Sequence, residues 1–272
     1  MAIIINPINP VAFSVFGLPV RWYALAYIAA FVIGYYIMKY MTNKKDSEIC
    51  LSKKQMDDLL TYFVLGVILG GRLGYVLFYN LGYFIANPLE IFALWHGGMS
   101  FHGGLLGVIA ATFLFVKNNS FPDKSVIRNS FRILDVLAVL VPLGLGLGRI
   151  ANFINMEIMG RVTDSPLGVI FVGGPQVPRH ASPLYEFALE GVVLFIIMLL
   201  LYYKTNLRRY SGALSGMFCI LYACFRIFCE QFRAPDAHIG FLTSWGLTQG
   251  MLLSGIMMIV GITVLICALR KK

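Results

Sequence analysis

Arg72, His102, Arg149 and Arg226 each stand in a stretch that is otherwise apolar for about twenty residues. An ionisable side chain at the centre of a bilayer costs at least about 2.5 to 3.5 kcal/mol, so four of them imply a chemical purpose. Arginine suits a phosphate, because its planar fork donates paired hydrogen bonds and stays charged at any working pH. Arg149 ends the glycine-spaced run Gly144 to Gly148 and is followed by Asn152, Asn155, Glu157, Gly160 and Arg161, a polar string able to line one site. His102, between Ser100-Phe101 and Gly103-Gly104, offers a titratable imidazole. Tyr222, Arg226 and Glu230 recur at i, i+4 and i+8, which stacks them on one helical face, with Arg233 just beyond. Arg226 and Glu230 are expected to pair, which lowers the cost of keeping either in the membrane.

Glycine surrounds these groups at Gly66, Gly70, Gly71 and Gly74, at Gly103, Gly104 and Gly107, and at Gly144, Gly146 and Gly148. Small residues at such spacing let helices pack closely. For Gly103 and Gly104, beside His102, approach of a ligand is the competing reading. The run at Gly144 lacks the strand, crossover and acidic partner of a dinucleotide loop. Arg72 is left with either a structural role or a headgroup contact. Cys50, Cys219, Cys224, Cys229 and Cys267 show no metal-ligand spacing and read as packing residues, so neither metal nor organic cofactor is expected.

The elements that must position these residues are membrane helices. Of 272 residues, 58% are hydrophobic and 13% charged, and the mean hydropathy is +0.77, beyond what a water-soluble core absorbs. Hydropathy and loop punctuation place spans near 20–41, 59–79, 91–116, 131–151, 184–203, 213–230 and 246–269. Every second connection is basic: Lys39, Lys44, Lys45, Lys53 and Lys54; Lys117, Lys124, Arg128 and Arg132; Lys204, Arg208 and Arg209; Arg270, Lys271 and Lys272. Cations next to a span stay cytoplasmic, which puts the amino terminus outside and the carboxyl terminus inside. The same loops account for the net charge of +9 through anionic lipid heads, without nucleic acid. The start, Met1 to Asn9, lacks the basic region of a cleavable signal, so the first span is expected to serve as its own insertion signal. The connection at about 152–183 contains Leu167 to Val172, β-branched and closed by Gly173, Gly174 and Pro175, and is expected to form a small extracytoplasmic cap with a hairpin or strand. Ile3 to Val20, broken by Pro7, Pro10 and Pro19, is expected to lie at the outer interface before Trp22 and Tyr23, while His96 and His238 look interfacial and carry no assigned role. The expected architecture is thus an all-α polytopic membrane protein, residues 1–272 forming one domain of about seven transmembrane helices with an interfacial arm and a cap.

Over nearly its whole length the chain resembles the prolipoprotein diacylglyceryl transferases of bacterial inner membranes. The likeness lies in Arg21-Trp22-Tyr23, Gly70-Gly71-Arg72-Leu73-Gly74-Tyr75, Gly98 to Gly104 and Gly148-Arg149-Ile150-Ala151-Asn152-Phe153-Ile154-Asn155. It continues through Glu157, Gly160-Arg161, Arg179-His180, Leu184-Tyr185-Glu186, Tyr222 to Arg233 and Pro235-Asp236. The resemblance implies transfer of a diacylglyceryl group from phosphatidylglycerol to the thiol of a lipobox cysteine in a prolipoprotein signal peptide, giving a thioether and glycerol phosphate in the cytoplasmic (inner) membrane. It implies functional positions at Tyr23, His102, Arg149, Asn152, Glu157, Gly160, Tyr222, Arg226, Glu230 and Arg233. Ala151 and Met156 stand where the family usually has glycine, Met159 where an aromatic is common, and the glutamine of Thr248-Gln249-Gly250-Met251 is displaced from its usual place after glycine.

With that chemistry, a thiol in an apolar site ionises poorly unless a base or cation helps, and His102 is the candidate base. The leaving phosphate calls for cations, supplied by Arg149 and Arg233, with Gly103, Gly104, Glu157 and Gly160 around the lipid. Tyr23 and Asn152 complete the catalytic set, and Tyr222, Arg226 and Glu230 are assigned to positioning. A transporter for an anionic solute is the rival reading, because intramembrane arginines and glycine-broken helices also suit that task.

Overall fold

The computed structural model describes residues 2–44, 47–79, 81–235 and 240–270. Of the positions singled out above, Lys45, Asp236, His238, Lys271 and Lys272 lie outside the described residues. The chain is mostly helical, with a few short strands, and divides into two compact units, Met1–Met38 with Asp135–Lys272, and Lys39–Leu134. The main helices are α1 (Trp22–Thr42), α2 (Lys53–Tyr79), the short α3 (Leu81–Ala86), α4 (Phe101–Asn118), α5 (Val126–Ile154), α6 (Ser182–Glu186), α7 (Leu194–Lys204), α8 (Ala213–Cys229) and α9 (Gln249–Arg270). A π turn, Phe187–Val193, joins α6 to α7 without a break in the helix. Five helical stretches are long and apolar enough to cross a membrane, namely Trp22–Thr42, Lys53–Phe78, Val126–Ile154, Ser182–Lys204 and Gln249–Arg270. Two further apolar helices, His102–Asn118 and Ala213–Cys229, are shorter.

In the unit Lys39–Leu134, α2 packs on α4 through glycine. A Cβ on Gly66 would lie 2.7 Å from the Gly107 carbonyl oxygen, one on Gly74 would lie 2.7 Å from the Gly103 Cα, and one on Gly70 would strike the Gly103 carbonyl. Gly66, Gly70 and Gly74 therefore form a smooth strip against Gly103 and Gly107, and the two backbones approach as no pair of larger residues allows. The third expected span needs correction. Residues 91–100 do not open a helix that continues to 116: Pro88–Phe92 and Leu94–His96 are 3₁₀ turns, and Gly97 and Gly98 have φ of 79° and 82°. The helix starts only at Phe101, where the Ser100 hydroxyl caps it by accepting from the Gly103 N–H.

Arg72 is spent on that irregular segment. Its Nε donates to the Ile91 carbonyl (2.8 Å), Nη1 to those of Gly97 and Gly98, and Nη2 to those of Glu90 and Ala93 (3.2 Å). Main-chain carbonyls away from water are costly to leave unpaired, and one guanidinium reaches five of them, of which those of Glu90 and Ala93 also accept from the N–H groups of Ala93 and His96. The structural alternative for Arg72 is the one the geometry supports.

In the other unit, β1 (Ile3–Ile5) pairs in parallel with β4 (Val169–Phe171), Ile4 standing opposite Ile170. The strand expected within 167–172 is therefore present; the amino-terminal arm pairs with it in parallel, and Val169 also exchanges antiparallel hydrogen bonds with Arg179, N–H to carbonyl at 2.9 and 3.1 Å, as the return limb of a hairpin. Val169, Phe171 and Ala181 form a small core, packed by Ile5, Phe153, Met159 and Leu184. The arm also folds on itself: β2 (Val11–Val15) and β3 (Leu18–Arg21) make an antiparallel hairpin whose tip, Phe16-Gly17, has positive φ at both residues. Pro19 is accommodated on the hairpin's edge strand.

Candidate active site

Arg149 projects from α5, Glu186 and Glu190 from the last residue of α6 and the π turn, and Arg226, Glu230 and Arg233 from α8 and the residues beyond its end. These six side chains meet in one buried cluster. Arg149 Nε lies 2.8 Å from Glu186 Oε2, and Arg149 Nη2 lies 3.3 Å from Glu190 Oε2. Arg226 Nη1 lies 3.1 Å from Glu186 Oε2 and 3.4 Å from Glu190 Oε1, while its Nη2 donates to Glu230 Oε1. Arg233 makes the longest of the described pairs, 3.8 Å to both Glu186 and Glu230. Among these six described side chains, three cations face three anions. That balance is what allows it to be buried, because an unpaired charge in this setting would carry an uncompensated desolvation cost.

The two carboxylates of the α6 and π-turn segment are the residues that the sequence reading passed over as site residues. Glu186 and Glu190 are wholly buried, four positions apart in an apolar stretch, and a π turn at a charged site is a recurrent functional device. Gly191 follows, and its Cα faces Gly146 of α5, so the chain around Glu190 can press against the helix that carries Arg149.

Both ends of α8 are fixed. At its start, buried Asp135 of α5 accepts from the N–H of Gly212 and from both the N–H and hydroxyl of Ser215, all at 2.7 Å. A carboxylate over a helix amino terminus satisfies the orphan N–H groups and complements the dipole. At its end, Arg161 Nε donates to the Arg233 carbonyl (3.0 Å) and Nη2 to the Glu230 carbonyl (3.1 Å). Gly160 makes this clamp possible, since a Cβ there would lie 2.5 Å from the His180 carbonyl and 2.6 Å from that of Phe232. Thr248, just ahead of α9, donates its hydroxyl to Glu230 Oε2 at 2.8 Å. Tyr222 is buried on α8 with its ring stacked on Phe218, centroids 5.8 Å apart.

Around the end of α5, Asn152 of its last turn donates to Glu157 Oε2 (2.9 Å) and Asn155, just beyond, to Glu157 Oε1 (3.3 Å), so the carboxylate is held between two amides. Met156 and Ile158 on either side have φ of 56° and 58°, a left-handed conformation costly for both. The Tyr23 hydroxyl sits 3.3 Å from that of Tyr27 and within electrostatic reach of Arg149 and Glu157. His102, Gly103 and Gly104 belong to the unit Lys39–Leu134 and occupy the first turn of α4. His102 is exposed; Gly103 is turned to α2, whereas the nearest atom to a Cβ on Gly104 would be the Val67 carbonyl oxygen at 3.7 Å.

Residues 10–267 match the family model described as prolipoprotein diacylglyceryl transferase. The chain is similar to the phosphatidylglycerol–prolipoprotein diacylglyceryl transferase of Rhodospirillum rubrum, 47% identical over 266 residues that cover 97% of this chain and 94% of that protein. The protein of the same name from Dechloromonas aromatica is 48% identical over 267 residues, 97% of each chain, and that from Pseudoalteromonas atlantica is 47% identical over 268, 97% of this chain and 91% of its own. With matches of this extent and identity, the chain belongs to the prolipoprotein diacylglyceryl transferase family.

Proposed function

We propose that this protein moves the diacylglyceryl group of phosphatidylglycerol onto the thiol of the lipobox cysteine in a prolipoprotein signal peptide, forming a thioether and releasing glycerol phosphate. The observation that carries the reading is the buried cluster of Arg149, Arg226 and Arg233 with three glutamates, a preorganised set of cationic forks. Charge that grows on a leaving phosphate is best met by donors already fixed in a site shielded from water.

In this reading Arg149 and Arg233 receive the phosphate. Arg226, Glu230 and Tyr222 position α8. Asn152 holds Glu157 toward the lipid, and Gly160 lets the strand carrying Arg161 reach the end of α8. Tyr23 and Asn152 serve the reaction with Arg149, and His102 takes the thiol proton. Gly104 is assigned to the lipid as the less crowded of the two buried glycines, while Gly103 contributes by setting the approach of α2.

The whole chain is read as one integral domain that crosses the bacterial cytoplasmic membrane about seven times, amino terminus outside, carboxyl terminus inside, and the β1–β4 layer as part of an extracytoplasmic cap. The alternation of basic connections supports that orientation. Incubating the purified protein with phosphatidylglycerol and a lipobox peptide is expected to add the diacylglyceryl mass to the peptide thiol. An unmodified peptide together with accumulation of an anionic solute in proteoliposomes would favour transport instead.

A further inference from the structure

The three glutamates of the cluster are not equivalent. Glu230 accepts from Arg226 at one oxygen and from the Thr248 hydroxyl at the other. Glu190 accepts from Arg149 at one oxygen and from Arg226 at the other. Glu186 is fully enclosed, and neither of its oxygens accepts a hydrogen bond of sound geometry among the described residues. Its closest neighbour, Arg149 Nε, is near in distance but poorly aligned. Glu186 is thus met by Arg149, Arg226 and Arg233 through proximity rather than through directed bonds.

The balance of three cations and three anions has a consequence once a phosphodiester enters. The lipid brings one further negative charge and competes for Arg149 and Arg233, two of the three cations that face Glu186. The buried site then holds an uncompensated anion, which low-polarity surroundings do not tolerate. The groups facing Glu186 are Arg149 from α5, Glu190 from the π turn, and Tyr222, Arg226, Cys229, Glu230 and Arg233 from α8 and its end. Of the carboxylates among them, Glu186 has the weakest set of directed bonds to lose.

We propose that binding of the lipid phosphodiester is coupled to uptake of a proton by Glu186, and that the resulting carboxylic acid protonates the leaving phosphate. The proposal rests on the transferase reading above. In the transfer, sulfur forms its bond to the glyceryl carbon as the thiol proton passes to the base, and the carbon–oxygen bond breaks with its electron pair going to the phosphate oxygen. The proton of Glu186 joins that oxygen, so glycerol phosphate leaves as a monoanion and Glu186 returns to the carboxylate, paired again with Arg149.

The test uses the full-length protein in detergent and a short-chain, ether-linked phosphatidylglycerol, whose diester stays singly charged across the neutral range and which carries no ester carbonyl. Titration calorimetry in buffers of different ionisation enthalpy is expected to show uptake approaching about one proton per lipid bound. Infrared difference spectra are expected to gain a carboxylic-acid C=O band with the lipid, absent in Glu186→Gln and displaced in Glu186→Asp. Binding with no proton uptake would overturn the proposal and leave the transferase reading standing. A band unchanged in Glu186→Asp would overturn the assignment to Glu186, even if Glu186→Gln fails to fold. Failure of the lipid to bind at all would overturn the transferase reading, and the proposal with it.

Discussion

Asp135 accepts from both the N–H and the hydroxyl of Ser215 at 2.7 Å, so the helix carrying Arg149 directly holds the start of the helix carrying Arg226. Asp135→Ala removes every one of these acceptors and is expected to cost about 1.5 to 3 kcal/mol, read as a lower thermal midpoint in detergent. Ser215→Ala deletes only the hydroxyl donor and should cost less than half as much. Equal losses in the two variants would show that the carboxylate does not act as a cap.

Arg149→Lys keeps the charge and discards the fork. With Glu186 and Glu190 approached from two nitrogens of one guanidinium, a single ammonium cannot serve both and also receive a phosphate. Transfer to a lipobox peptide is expected to fall about 100-fold or more. Near-normal thioether formation by the purified variant would remove Arg149 from the reaction.

Packing between α2 and α4 gives a pair of opposite expectations. Gly70→Ala places a methyl group against the Gly103 carbonyl and should cost about 1 to 3 kcal/mol. Gly148→Ala has open space around its Cβ and sits within α5, so its thermal midpoint should hold or rise slightly. A Gly70→Ala protein as stable as the parent would mean that the helices can part at no cost.

Met156 holds a φ of 56°, a left-handed conformation that glycine adopts without the penalty a side chain brings. Met156→Gly removes a left-handed strain of about 1 to 2 kcal/mol while loosening the unfolded chain, for a net gain of roughly 0.5 to 1 kcal/mol. Denaturation midpoints of the two proteins compare this directly; a less stable Met156→Gly would mean that the methionine side chain contributes more than the strain removes.

The sequence carried the helices well. Apolar runs located them, and the Arg226–Glu230 pair followed from spacing alone because i, i+4 positions are neighbours on any helix. The glycine strip of α2 was readable for the same reason. The failures have definite causes. Residues 91–100 are apolar enough to read as a span, yet the backbone at Gly97 and Gly98 decides against helix. The β1–β4 pairing joins segments far apart in the chain, and no local pattern encodes it. Glu186, Glu190 and Asp135 did carry a signal: a carboxylate in an apolar stretch bears a desolvation cost as an arginine there does, so buried cations and their counter-ions are marked alike.

The π turn at Phe187–Val193 makes register, rather than composition, the constrained property of that helix. A π turn is one residue longer than the α turn it replaces, and each residue of an α-helix turns the chain by about 100°. Deleting a single apolar residue here would leave the hydropathy of the segment almost unchanged while swinging Glu190 away from Arg149 and Arg226. Natural variation in this stretch should therefore be rich in apolar exchanges and poor in insertions or deletions.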